Sequence, residues 1–95
     1  MSRRCVKAEE KISGGKLICV EVLQDGGAIS RLRITGDFFL HPEEAIERLE
    51  NALAGRPLRI SEAEAESLLK EALGDAQLIG ASCHDIARLA RKAIG

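Results

Sequence analysis

Ninety-five residues suffice for one compact domain and are too few for two that each bury a core. Hydrophobic residues make up 45% of the chain and charged residues 31%, the balance of a globular domain rather than of a disordered tail. Fourteen Lys and Arg stand against fifteen Asp and Glu, and the adjacent Phe38 and Phe39 are the only aromatics. The chain thus has neither the basic field nor the stacking platform of a nucleic-acid binder. Met1 to Lys11 carries charges and no apolar h-region, and no run of about eighteen apolar residues occurs, so neither export nor a membrane span is expected. Three cysteines at wide, irregular spacing fit a reducing cytoplasm.

In chain order, Val6, Ala8 and Ile12 alternate imperfectly with charges ahead of Ser13-Gly14-Gly15. Residues 1–10 are therefore either a flexible lead-in or a short first strand. Lys16 to Leu23 is rich in β-branched residues and runs into Gln24-Asp25-Gly26-Gly27, a hairpin signal. A three-residue loop at Asp25, Gly26 and Gly27 pairs Val20 with Leu32 and Ile18 with Ile34, keeping apolar residues on one face. A two-residue loop at Asp25 and Gly26 sets Val20 opposite Arg31, so the three-residue loop is expected. From Pro42 the period becomes helical, with the stripe Ala45, Ile46, Leu49, Ala52 and Leu53, Pro42 at the first helical position, His41 as the cap and Gly55 as the stop. A second helix starts at Ser61, where Glu64 offers a capping box, buries Leu68, Leu69, Ala72 and Leu73, and ends at Gly74. A third starts at Ser82 with Asp85 three residues on and buries Ile86, Leu89, Ala90, Ala93 and Ile94, with Arg88, Arg91 and Lys92 toward its negative end. The expectation is a single α+β domain over residues 1–95, a small three-stranded antiparallel meander followed by three helices.

Few residues point to chemistry. Cys5, Cys19, Cys83, His41 and His84 match no zinc spacing, and Cys83 and His84 on one helix point about 100° apart, so no metal site is expected. Cys83 sits at a helix start, a position that can lower a thiol pKa, but no base or second cysteine accompanies it at a recognisable spacing. Ser13-Gly14-Gly15-Lys16 lacks the phosphate-loop spacing and precedes a strand, so this chain alone is not expected to bind ATP. Gly36-Asp37-Phe38-Phe39 is the most unusual stretch. If the strand runs on past Gly36, Phe38 shares the face of Leu32 and Ile34 while Phe39 points the other way, to another apolar partner. A bulge at Gly36 exchanges those roles.

The run ITGDFFLHPEEAIERLENALAG, Ile34 to Gly55, preceded by GGKLICVEV, Gly14 to Val22, resembles the C-terminal accessory domain of lipoate-protein ligase. LIGASCHDIARLARKAI, Leu78 to Ile94, is similar to that domain's closing segment, and the resemblance extends over nearly the whole chain from about Lys11. A chain of this length that begins with its own Met resembles the form encoded as a separate small subunit. The resemblance implies a fold similar to iron-sulfur scaffold and sulfur-acceptor proteins. It also implies a non-catalytic subunit of a bipartite, ATP-dependent ligase. The large catalytic subunit is then the partner, with the lipoyl-acceptor domain a partner only indirectly. ATP, Mg and lipoate are expected on that large subunit, where lipoyl-AMP forms, and no cofactor is expected on this chain alone.

No catalytic residue carries over. Gly14, Gly15 and Lys16 match the family's turn and strand start, and Gly36, Asp37, Phe38, Phe39, Pro42 and Glu43 match its central motif. These nine are the candidate partner-interface residues. Asp37 either braces the turn from inside or contacts the partner. Lys16 is either a solvated strand-end lysine or a cation that reaches a nucleotide phosphate across the subunit interface. The competing reading from another class is an iron-sulfur or sulfur-transfer scaffold, prompted by the similar fold and the three cysteines.

Overall fold

A computed structural model describes residues 3–95; the part of the expected domain at Met1 and Ser2 lies outside the described residues. Strands β1 (Arg3–Ile12), β2 (Lys16–Asp25) and β3 (Ala28–Gly36) form an antiparallel sheet in the order β1-β2-β3. Residues 3–10 are thus part of a ten-residue strand rather than a flexible lead-in. Alternation sets the two faces. Ile18, Val20 and Val22 of β2 and Leu32 of β3 are fully buried and Ile34 nearly so, while Arg31 and Arg33 are exposed on the opposite face.

The hairpin register differs from expectation. Val20 pairs with Ile34, Val22 with Leu32 and Glu21 with Arg33. The loop is the two residues Gly26 and Gly27, and a bulge in β3 adds one residue, Ser30, between Ile29 opposite Gln24 and Arg31 opposite Leu23. A two-residue loop by itself would set valines opposite arginines; the bulge restores apolar against apolar, displaced by two from the expected pairing. Segment 55–58 pins this place, because Gly55 N–H donates to Ile29 O at 2.8 Å and Ile29 N–H to Arg56 O at 2.8 Å.

Three helices lie on the apolar side of the sheet, the first and third packed on it and the second packed on those two. Helix α1 (Ala45–Glu50) has only six residues and is flanked by turns. Pro42 precedes it by three residues, so neither the first-position role for Pro42 nor the cap role for His41 holds; Glu44 occupies the cap. The bonds from Ala45 N–H to Pro42 O and from Ile46 N–H to Glu43 O span three residues, a tight geometry that begins the turn before the α-helix proper. The apolar stripe survives, with Ala45, Leu49 and Leu53 buried. The Glu50 carboxylate at the end of α1 accepts from Ile34 N–H at 2.9 Å and Arg31 Nη2 at 2.8 Å, tying the helix to the free edge of β3.

Helix α2 (Glu62–Leu73) starts where Ser61 predicts, its hydroxyl accepting from Glu64 N–H at 3.1 Å. The Glu64 carboxylate instead lies 4.0 Å from Arg56, so only half the capping box forms. Ala65 and Leu69 are its buried residues, with Leu68, Ala72 and Leu73 packed beside them. Helix α3 (Cys83–Ile94) carries the complete box between Ser82 and Asp85 and buries Ile86, Ala87, Leu89 and Ala90 against β1 and β2. Glu10 of β1 accepts from Arg88 and, at 2.9 Å, from Lys92, which fastens α3 to the sheet.

The α+β class with a three-stranded antiparallel sheet and following helices is as expected. One feature is new: a separate two-stranded sheet of β4 (Phe39–His41) and β5 (Gln77–Ile79), pairing Phe39 with Ile79, Leu40 with Leu78 and His41 with Gln77. Among the described residues no helix is long and apolar enough to cross a membrane.

Candidate functional site

Gly14 and Gly15 close the turn between β1 and β2, and Lys16 begins β2. Gly36 ends β3 opposite Ile18, the chain bends at Asp37 and Phe38, and Phe39 opens β4. Twenty residues apart in sequence, the two segments meet because β2 and β3 are antiparallel. Together these seven residues line one depression of about 510 Å³. Glu43 lines a neighbouring depression of about 270 Å³ that shares Phe38 and Phe39. Pro42 lines neither. A third depression, lined by Arg4, Cys5, Leu23, Gln24, Asp25 and Ser30, lies at the hairpin end of the sheet, away from the motif.

Gly36 is required by its surroundings. Its φ is +139°, and a Cβ there would lie 2.2 Å from Leu17 O and 2.9 Å from Ile18 Cα, inside any tolerable contact. Asp37 then locks the bend: its N–H donates to Leu17 O at 2.9 Å, and its carboxylate accepts from Leu17 N–H at 3.2 Å. Of the two roles open to Asp37, the geometry supplies the brace. Gly80, outside the expected set, closes the other side. With φ +93°, a Cβ there would sit 3.0 Å from Asp37 O and 3.4 Å from Phe38 Cα.

The strand does not run on through Gly36, yet the two phenylalanines divide as the parity argument supposed. Phe38 is half-buried and packs on the core, while Phe39 is 63% exposed. Leu17 and Ile79 are the other exposed large hydrophobics among the described residues, at 41% and 51%. Ile79 faces Phe39 across the small sheet, and Leu17 is held to Asp37, two residues before Phe39. Neither was singled out from sequence. Ile79 belongs to a three-residue strand too short to show a period, and Leu17 reads as an ordinary strand residue.

Lys16 is exposed and, among the described residues, makes no side-chain hydrogen bond or ion pair. Together with the braced Asp37 it gives the depression one amine and one carboxylate, without a nucleophile and base in hydrogen-bond reach.

The cysteines lie elsewhere and apart. Cys5 on β1 donates to Glu21 Oε2 at 2.6 Å, and that bond holds its thiol pKa above the ordinary value. Cys19 is half-buried on β2 with its pairing partner Glu9. Cys83 is buried at the start of α3, and burial pushes its thiol up rather than leaving it activated by the helix terminus. Among the described residues no three His, Cys, Asp or Glu side chains gather as a metal-holding group.

No protein-family model matches the chain. A stretch of 39 residues is 49% identical to "Lipoate-protein ligase A subunit 2" of Thermoplasma acidophilum, covering 41% of this chain and 42% of that relative. Among solved structures, the chain superposes with a TM-score of 0.70 and 26% identity on one described as an archaeal lipoylation system, a bipartite lipoate protein ligase and its E2 lipoyl domain from Thermoplasma acidophilum. That likeness takes in 95% of this chain and 98% of the other. By sequence over one stretch the chain is similar to a second subunit of lipoate-protein ligase, and by fold over nearly its whole length to a chain of a lipoylation system that contains a bipartite ligase.

Proposed function

We propose that this chain is the small accessory subunit of a bipartite lipoate-protein ligase. It acts with a large catalytic subunit, in the cytoplasm, to support the ATP-dependent activation of lipoate to lipoyl-AMP for protein lipoylation. The observation that carries the reading is the stretch 49% identical to a lipoate-protein ligase subunit 2, joined by the end-to-end likeness in fold to a chain of a bipartite-ligase lipoylation system. The chemistry of the site agrees: a braced bend and an exposed apolar surface suit assembly, and no acid, base or nucleophile is arranged for adenylation. ATP, Mg and lipoate belong to the large subunit in this reading, and the lipoyl-acceptor domain meets that subunit first. Gly36 and Asp37 then serve by shaping the bend, while Lys16 and Phe39 face the partner.

The test is ATP-dependent lipoyl-AMP formation by the large subunit with and without this chain. The small protein alone should form none, and its addition should raise formation by the large subunit. Transfer from preformed lipoyl-AMP to the acceptor should depend far less on it. Lipoyl-AMP formation by the small protein alone, or a large subunit indifferent to its presence, overturns the proposal. The scaffold reading gains nothing from the geometry, because Cys83 lies on the core side of the sheet and Cys5 and Cys19 on its outer face.

A further inference from the structure

We infer that the surface formed by Leu17, Phe39 and Ile79, with Lys16 at one margin and Glu43 at the other, is the docking face for the large subunit. The inference rests on the accessory-subunit reading and adds to it where the two chains meet and in which orientation. These three side chains are the large apolar groups that folding leaves in water among the described residues. The core closes without them, since Ile18, Leu32, Leu49, Leu69 and Leu89 are fully buried. Their exposure is imposed by the backbone. Gly36 admits a close approach that any side chain would forbid, Gly80 holds a positive φ in a tight fit against Asp37 and Phe38, and Asp37 locks Leu17 to the bend. A bend that needs two glycines and a carboxylate brace to present a phenylalanine to solvent is built for a partner.

The margins specify that partner's charge pattern. Lys11, the strand partner of Leu17, and Lys16 flank the apolar group on the sheet side, whereas Glu43 and Glu44 follow β4 beyond Phe39. None of the four has a side-chain hydrogen bond or ion pair among the described residues. The complementary face is apolar at its centre, with a carboxylate toward Lys11 and Lys16 and a cation toward Glu43 and Glu44, which fixes one orientation. Phe39 borders two depressions, of about 510 and 270 Å³, so side chains from the partner can enter beside it, the surroundings of an aromatic anchor.

Titration of the whole chain into the large subunit by calorimetry tests this, with Phe39→Ala, Ile79→Ser and Lys16→Glu beside a remote Ser30→Ala control. Phe39→Ala should weaken binding about tenfold or more, on the order of a hot-spot loss. Ile79→Ser should weaken it several-fold, and Lys16→Glu should weaken it and flatten the salt dependence. Melting temperatures should stay near wild type, which keeps a binding loss distinct from unfolding. If wild type binds and stimulates activation while all three folded variants bind as tightly, the docking face is wrong and the accessory reading stands. If wild type neither binds nor stimulates, the accessory reading fails and takes the assigned occupant with it. Concentration-dependent self-association that Phe39→Ala abolishes, with large-subunit binding intact, makes the occupant a second copy and overturns the proposal.

Discussion

The seam between α3 and the sheet and the corner between Gly36 and Gly80 use opposite physics. At the seam, Ile86, Leu89 and Ala90 are buried against β1 and β2, and the rim charges are satisfied, with Glu10 held by Arg88 and Lys92. At the corner, Phe39 and Ile79 stay in solvent, Lys16 has no side-chain partner among the described residues, and backbone contacts hold the bend beside the buried Leu40 and half-buried Phe38. The seam therefore stores stability, and the corner holds a shape at some cost to it. Substitutions at the first should unfold the chain, and most at the second should leave it folded with altered binding.

The largest effect belongs to the seam. Leu89→Ala removes a fully buried side chain between the helix and the sheet and should cost about 3 kcal/mol, within the usual range for core Leu→Ala changes. Urea unfolding gives the value, and a loss below about 1 kcal/mol would show that α3 does not carry the core. Next is Gly36→Ala, the corner position that should behave like the seam. Left-handed strain and a backbone clash at 2.2 Å combine to about 2 to 4 kcal/mol, read in the same experiment. If Gly36→Ala were neutral, the corner would be soft, and its shape could not be what presents Phe39.

Phe38 and Phe39 divide the comparison between neighbours. Phe38→Ala removes a half-buried ring packed on the core and should cost about 1 to 3 kcal/mol, less than a fully buried Phe. Phe39→Ala should fall within about 0.5 kcal/mol of wild type, as for an exposed site. Thermal melts of the two single variants decide it. Equal losses would mean that the exposed ring is held by the fold after all.

Much of the seam is readable from the chain, because helix period and capping residues are local signals. Ser61 and Ser82 sit at the starts they predict, and the alternation of Ile18, Val20 and Val22 gives the buried face of β2. The corner is less readable, since its shape depends on contacts between segments far apart in sequence. Parity anticipates the Phe38 and Phe39 division, but the pairing of β4 with β5 leaves no periodic trace in three residues a side. The hairpin shows the same limit. Apolar matching fixes which face each strand buries, whereas the shift by two comes half from a loop of Gly26 and Gly27 alone and half from a one-residue bulge beside segment 55–58, which nothing near Gly26 encodes. The early helix stripe is correct while its length is not, because residues 42–44 and 51–55 form turns around the helical turn and a half of α1.

The smallest expected effect is a pH dependence linking α2 to α3. His84 Nδ1 lies 3.0 Å from Glu66 Oε1, and Glu66 also holds Lys70 at 3.1 Å. The hydrogen bond that Glu66 accepts from His84 raises the His84 pKa above its ordinary value, with the Glu66 charge and those of Glu62 and Asp85 adding to the effect. The bonds from His84 and Lys70 lower that of Glu66. Because the His84 pKa is raised on folding, its contribution is complete below about pH 6.5 and is lost as pH rises through the folded value. Because the Glu66 pKa is lowered, its contribution is present above about pH 4.5 and is lost as pH falls through the folded value. The pair therefore stabilises most between those limits, and solvent screening keeps the effect small at this exposed site. Melts of wild type and His84→Gln across pH 5 to 9 should differ most near pH 5.5 and converge as pH rises past the raised His84 value. A difference that grows toward pH 9 would mean that the charged pair does not hold the two helices together.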